Sequence, residues 1–127
     1  MDSSGKKILI IDDDEMILKS LVSLFEMENF TVISASDGKE GLEKVKTETP
    51  DAIITDIEME KVDGINVLHE IRSSGEWGKA VPVVLFTNFD GDGEVIDSIH
   101  RDHPSLFLKK SEVTAPEILA QVKELLQ

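Results

Sequence analysis

The chain has 127 residues, enough for one domain that buries a core without staples. It has no cysteine, which excludes disulfides and thiolate metal sites, and its 13 basic against 26 acidic residues give a formal charge of −13, which argues against direct nucleic-acid binding. No apolar stretch approaches a membrane span, and Met1-Asp2-Ser3-Ser4-Gly5-Lys6-Lys7 lacks the apolar core of a signal peptide, so the expected setting is cytoplasmic.

Residues 1–6 read as a disordered leader, and 7–127 as the domain. Gly5-Lys6-Lys7 is a poor P-loop, because no Ser or Thr follows the Lys and a strand comes after it rather than before. The first strand is expected over 7–12, its unbroken run Ile8-Leu9-Ile10-Ile11 suiting burial on both faces. A helix over 15–28 then places Ile17, Leu21, Leu24 and Phe25 on one side. The second strand lies over 31–35. Asp37 and Glu40 match a capping box that opens a helix with Leu42 and Val45 inward.

A third strand follows Pro50 and ends at Asp56. Beyond a loop over 57–63, a third helix buries Ile65, Leu68 and Ile71 or close neighbours, and Gly75-Glu76-Trp77-Gly78 reads as a loop carrying a surface-packed Trp. The fourth strand spans 81–87. The fourth helix is the weakest element, with only Val95, Ile96 and Ile99 as an apolar stripe after Asp90-Gly91-Asp92-Gly93. The fifth strand lies over 106–109. Thr114 and Glu117 form another capping box, with Pro116 in the first turn, and the last helix turns Ile118, Val122, Leu125 and Leu126 inward.

Five strands alternating with five helices imply an α/β three-layer sandwich on a parallel sheet. The flavodoxin-like order 2-1-3-4-5 places the first and third strands side by side at the switch point, where ligands bind beyond the carboxyl ends of strands. Asp12, Asp13 and Asp56 then meet. Carboxylates so close repel unless a cation neutralises them, and hard oxygens suit Mg²⁺. Helix capping accounts for one acid of Asp12-Asp13-Asp14 but not for Asp56 on another strand. Thr87 and a Lys end two further strands. A carboxylate can take a phosphoryl group as an aspartyl-phosphate, and the transfer calls for a cation, a hydroxyl and a fixed positive charge on the phosphoryl oxygens.

In these residues the chain resembles the receiver domain of two-component response regulators, over nearly all of 7–126. The resemblance rests on Ile8-Leu9-Ile10-Ile11-Asp12-Asp13-Asp14-Glu15, Pro50-Asp51-Ala52-Ile53-Ile54-Thr55-Asp56, Asp63-Gly64, Pro82-Val83-Val84-Leu85-Phe86-Thr87 and Lys110-Ser111-Glu112-Val113-Thr114. It implies that Asp56 accepts phosphate from a sensor histidine kinase or histidine phosphotransfer protein. It further implies that Asp12 and Asp13 position Mg²⁺, with Asp13, Asp56 and the Glu58 main-chain carbonyl as direct ligands. By the same resemblance Thr87 and the Lys bind phosphoryl oxygens, and Phe107 holds the aromatic switch position. The face expected to switch comprises the fourth helix, fifth strand and last helix. A downstream protein target and a phosphorylation-dependent homodimer are the other partners implied.

Lys110 is favoured over Lys109 as the site lysine, because the family's aromatic stands three residues before its Lys, as Phe107 does here. Strand alternation keeps the two lysines from sharing one pocket, which leaves Lys109 a solvated strand-end charge. Three departures from the pattern stand out. Ser111 replaces the usual Pro, so a trans bond is expected after Lys110. Glu60-Lys61 replaces Pro-Gly in the acceptor loop, and His100-Arg101-Asp102-His103-Pro104 replaces Gly-Ala before the fifth strand.

The expected role is a switch rather than a metabolic enzyme, its catalysis limited to Mg²⁺-dependent self-phosphorylation and autodephosphorylation. One alternative is an interaction module that never carries phosphate. Another is an aspartyl-phosphate hydrolase of the haloacid dehalogenase type, disfavoured by Glu58 and Glu60 where that family wants Asp and Thr or Val. Asp90, Asp92 and Glu94 make a failed calcium loop, with Val95 and Arg101 where Gly and Glu are needed. His100, Asp102 and His103 read as a solvated loop rather than a zinc site, and His69 as an exposed helix residue.

Overall fold

The computed structural model describes residues 5–127, so of the expected leader residues 1–4 lie outside the described residues. From Gly5 onward the backbone is bonded: the Gly5 N–H donates to the Asn29 carbonyl, and the Lys6 carbonyl accepts from the Thr31 N–H. Five strands, β1 (Lys7–Ile11), β2 (Thr31–Ala35), β3 (Ala52–Thr55), β4 (Val83–Thr87) and β5 (Leu106–Lys109), form one parallel sheet in the order β2-β1-β3-β4-β5. This is the expected flavodoxin-like arrangement. The helices are α1 (Glu15–Met27), α2 (Gly38–Glu48), α3 (Gly64–Arg72), α4 (Glu76–Ala80), α5 (Gly93–Arg101) and α6 (Ala115–Leu125).

The continuous apolar strands divide their side chains between two cores, as a period of two requires. Leu9, Ile11, Ile53, Val83 and Leu85 point to one face, where Val45 of α2, Val67, Leu68 and Ile71 of α3 and Ile99 of α5 cover them. Ile8, Ile10, Ala52, Ile54, Val84 and Phe86 point to the other, against Leu21 and Phe25 of α1 and Ile118, Leu119 and Val122 of α6. Full burial of each such side chain contributes roughly 1.5–3 kcal/mol, which makes the three-layer arrangement the stable one.

Six helices stand where five were expected. The additional one is α4, in the stretch read as a loop. Its glycines serve close approach as well as a turn. Gly75 takes φ +108°, and a Cβ on the buried Gly78 would lie 1.9 Å from the Ile71 carbonyl oxygen, so only glycine lets this turn seat on α3. Trp77 lies partly exposed beside Leu42, Val45 and Ile71.

The expected capping box at α2 is only half formed. The Asp37 carboxylate accepts from the Glu40 N–H, but Glu40 returns to the Ser36 N–H at 2.7 Å rather than to Asp37. The one at α6 is complete. Three strands stop just short of chemistry-bearing residues: β1 before Asp12, β3 before Asp56 and β5 before Lys110, while Thr87 is the last residue of β4.

Candidate phosphoryl-transfer site

Adjacency of β1 and β3 creates the site. Ile11 is paired with Thr55, and the Asp56 N–H still donates to the Ile11 carbonyl at 3.0 Å, so Asp12 and Asp56 leave the sheet side by side. Both are buried, whereas Asp13 is exposed at the mouth. The three residues each offer a carboxylate oxygen within 4.8 Å of the others.

One cation holds the two buried acids. Lys110 Nζ lies 2.8 Å from Asp12 Oδ2 and 2.7 Å from Asp56 Oδ2, with 11% of its side chain exposed. Its own N–H donates to the Thr87 carbonyl, which fixes the root of the side chain against the end of β4. Burial pulls against the ammonium, but the hydrogen bonds to Asp12 and Asp56 outweigh it and hold the Lys110 pKa above its ordinary value. Burial pushes Asp12 up, and the bonds from Lys110 and the Asp14 N–H recover only part of that rise.

The other Asp56 oxygen is held by its own loop. Oδ1 accepts the Ile57 N–H at 2.6 Å and the Glu58 N–H at 3.3 Å. That turn is possible because Gly64 packs onto it. The Gly64 N–H donates to the Ile57 carbonyl at 2.8 Å, and a Cβ there would stand 2.0 Å from the Asp56 carbonyl oxygen. Where Glu60-Lys61 replaced the usual Pro-Gly, Lys61 adopts a left-handed φ of +70° and pairs with Asp37 at 3.4 Å.

The remaining candidates separate clearly. Thr87 is buried at the end of β4, and its Oγ1 accepts the Phe89 N–H at 3.0 Å. Lys109, read from the sequence as a solvated strand-end charge, pairs with the exposed Asp90 at 2.7 Å and not with the acids of the pocket. Ser111 follows Lys110 without a cis bond, and its N–H, which a proline would lack, donates to Asn88 Oδ1. Glu58 points its side chain outward. Phe107 is half-buried beside His100, ring centroids 6.0 Å apart.

His100 belongs to α5, Asp102 caps it, and His103 turns the chain at φ +49°. His69, exposed on α3, pairs with Asp102 at 3.2 Å. Sequence reasoning missed Arg72, whose guanidinium donates to the carbonyls of Gly78, Val81, Asp102 and His103. Among the described residues Asp12, Asp13 and Asp56 are the one group of three or more possible ligands close enough to share an ion, and no helix is long and apolar enough to cross a membrane.

The donor set fits Mg²⁺. All three groups are hard oxygens, and an ion that keeps most of its waters needs only one or two carboxylates. Lys110 occupies Oδ2 of Asp12 and Asp56, which leaves the exposed Asp13 carboxylate and the remaining lone pairs for a cation.

Comparison with known proteins gives the family and the fold. The family model described as "Response regulator receiver domain" matches residues 8–123. The alkaline phosphatase synthesis transcriptional regulatory protein PhoP of Bacillus subtilis is 33% identical over 123 residues, covering 97% of this chain and 49% of that protein. The chain spans about half or less of the length of such curated relatives. The crystal structure of a CheY-like response regulator receiver domain protein from Methanospirillum hungatei superposes with TM-score 0.85 at 26% identity, covering 97% of this chain and 94% of that one. A receiver domain protein from Clostridium thermocellum superposes with TM-score 0.79 at 29% identity, over 95% and 94%.

Proposed function

The chain belongs to the response regulator receiver domain family, and from that premise we propose that Asp56 is a phosphoacceptor whose modification switches a protein-binding face. The observation that carries this reading is the shared ammonium of Lys110, which lies 2.8 Å from Asp12 Oδ2 and 2.7 Å from Asp56 Oδ2 and so holds the two buried carboxylates side by side. A carboxylate oxygen held in a crevice beside a fixed positive charge can act as a nucleophile toward phosphorus.

The donor is a phosphohistidine on a sensor kinase or a histidine phosphotransfer protein. An Asp56 carboxylate oxygen attacks phosphorus, the P–N bond to the imidazole breaks, and the leaving ring takes a proton from solvent. The product is an acyl phosphate on Asp56. Lys110 stays protonated and places its charge on the incoming phosphoryl oxygens. Asp12, Asp13, Asp56 and the Glu58 carbonyl would hold a Mg²⁺, which when bound would supply charge neutralisation for the same oxygens. The Ile57 and Glu58 N–H groups orient the carboxylate through Oδ1. Water attack on the same phosphorus returns the free carboxylate, which is the only hydrolysis proposed.

The added charge and acceptor oxygens draw the Thr87 hydroxyl away from Phe89, and Phe107 turns inward as space opens. These shifts remodel the face made by α5, β5 and α6, to which a downstream protein or a second copy of the chain binds. Incubation with acetyl phosphate and Mg²⁺ tests the reading. Intact mass should show one added phosphoryl group, labile to hydroxylamine, and its absence would leave the interaction module that never carries phosphate.

A further inference from the structure

Three contacts hold the segment that follows β4. The Phe89 N–H donates to Thr87 Oγ1 at 3.0 Å, the Ser111 N–H donates to Asn88 Oδ1 at 3.0 Å, and Lys109 Nζ lies 2.7 Å from Asp90 Oδ1. The last two cross from β5 and from the residues just after it. Phe89 packs on the same core as Phe107. The loop is tight, for a Cβ on Gly91 would stand 2.6 Å from the Phe89 ring. Residues 88–90 therefore touch the Thr87 hydroxyl, the β5 exit and the core beneath Phe107 at once.

We propose that the Lys109–Asp90 ion pair, with the Ser111–Asn88 bond beside it, is a latch that holds residues 88–90 against the β5 exit and thereby restrains Thr87 from turning toward Asp56. This rests on the phosphoacceptor reading of Asp56 and adds a restraint particular to this chain. The Thr87 hydroxyl is engaged by the backbone of Phe89, so moving it toward a phosphoryl group means shifting or releasing that backbone. Each bond from β5 opposes the shift. The Ser111 N–H exists because proline is absent at that position, so the departure from the family pattern is what supplies the second bond.

Lys109 thus acts as a positioning residue, through the loop and without touching the reacting atoms. Its pair with Asp90 is largely exposed, and exposed pairs are weak, so the latch tunes the equilibrium rather than locking it. When a ligand requires a minor conformation, its apparent affinity falls by the fraction of molecules in that conformation. Releasing the latch should raise that fraction.

The test is a beryllofluoride titration of the full chain with Mg²⁺, followed by amide spectra, on wild type, Asp90→Asn, Lys109→Met and the swapped pair Asp90→Lys with Lys109→Asp. Half-saturation should fall roughly two- to five-fold in each single variant, the range of an exposed pair, and return to the wild-type value in the swap. Amide exchange of Phe89 without beryllofluoride should quicken in the single variants and slow again in the swap. Single variants that match wild type in both readouts, or bind more weakly, overturn the latch while leaving the Asp56 reading intact. A wild-type protein that ignores beryllofluoride overturns the Asp56 reading itself, and the latch with it.

Discussion

The Lys110 ammonium lies 2.7 Å from Asp56 Oδ2 and reaches Asp12 with the same nitrogen. Two carboxylates leaving adjacent parallel strands would otherwise repel in a poorly solvated crevice. The lysine supplies one positive charge to two negative ones, and the mouth keeps the exposed Asp13 for a further cation. The pocket is therefore built around a net negative charge that a divalent ion can complete.

Lys110→Ala should follow from that balance. Breaking a fully buried pair typically loses about 3–5 kcal/mol, and solvent entry at this open mouth reduces the loss here to about 2 kcal/mol. The uncompensated acids should then bind Mg²⁺ at least as tightly as before. Thermal melts with and without Mg²⁺ should show a larger Mg²⁺-induced rise in the variant than in wild type. An equal rise in both would mean that Lys110 does not serve as their counter-ion.

Asp56→Asn should abolish labelling by acetyl phosphate and leave the fold intact. The amide oxygen can still accept the Ile57 and Glu58 N–H groups, so the turn survives, while the nucleophilic carboxylate is gone. Intact mass is the readout, and full labelling of the variant would move the acceptor to another residue.

Asp13→Asn separates metal affinity from stability. Asp13 is exposed and outside the Lys110 bridge, so unfolding free energy should change by no more than about 0.5 kcal/mol. Mg²⁺ affinity measured by calorimetry should drop roughly tenfold, since a site of few carboxylates loses one charge. Unchanged affinity would remove Asp13 from the ligand set.

How much of this could be read in advance depended on whether a feature lives in local pattern or in long-range backbone contact. Ile8-Leu9-Ile10-Ile11 announced a strand buried on both faces, and Asp37 and Thr114 announced helix starts through cap chemistry. Acids at strand ends followed from topology alone. Helix α4 stayed hidden because Gly75 and Gly78 are punctuation in one dimension and close-approach residues in three. Arg72 stayed hidden for a similar reason: its partners are main-chain carbonyls of distant segments, and a carbonyl has no side-chain signature. Nor did spacing reveal that Lys110 serves Asp12 as well as Asp56, since that depends on the reach of one flexible side chain.

Gly64→Ala should damage the site from outside it. The new methyl would sit 2.0 Å from the Asp56 carbonyl oxygen and 2.7 Å from Ile57 Cα, both backbone atoms that cannot rotate away. Overpacking of this kind costs about 1–3 kcal/mol and would displace the turn that presents Asp56. Acetyl phosphate labelling should slow along with a lowered urea midpoint. Wild-type labelling in a destabilised variant would show that the turn tolerates the shift.

Arg72→Met tests the joint between α3 and the exit of α5. The Arg72 side chain donates to the Gly78 carbonyl at 2.8 Å, Val81 at 2.7 Å, Asp102 at 3.0 Å and His103 at 2.9 Å. Burial lowers the guanidinium pKa, with Asp102 opposing, yet arginine remains charged throughout the accessible range. Removing it strands several carbonyls, and a loss of about 2–4 kcal/mol is expected in urea unfolding. Lysine at this position should recover only part, because one ammonium cannot span the fan of acceptors that a planar guanidinium does. Amide exchange at 100–104 should quicken in both variants, more in the Met variant, since the end of α5 loses its anchor while the His69–Asp102 pair remains. A Met variant within about 0.5 kcal/mol of wild type, with exchange unchanged, would show that solvent replaces these bonds at no cost.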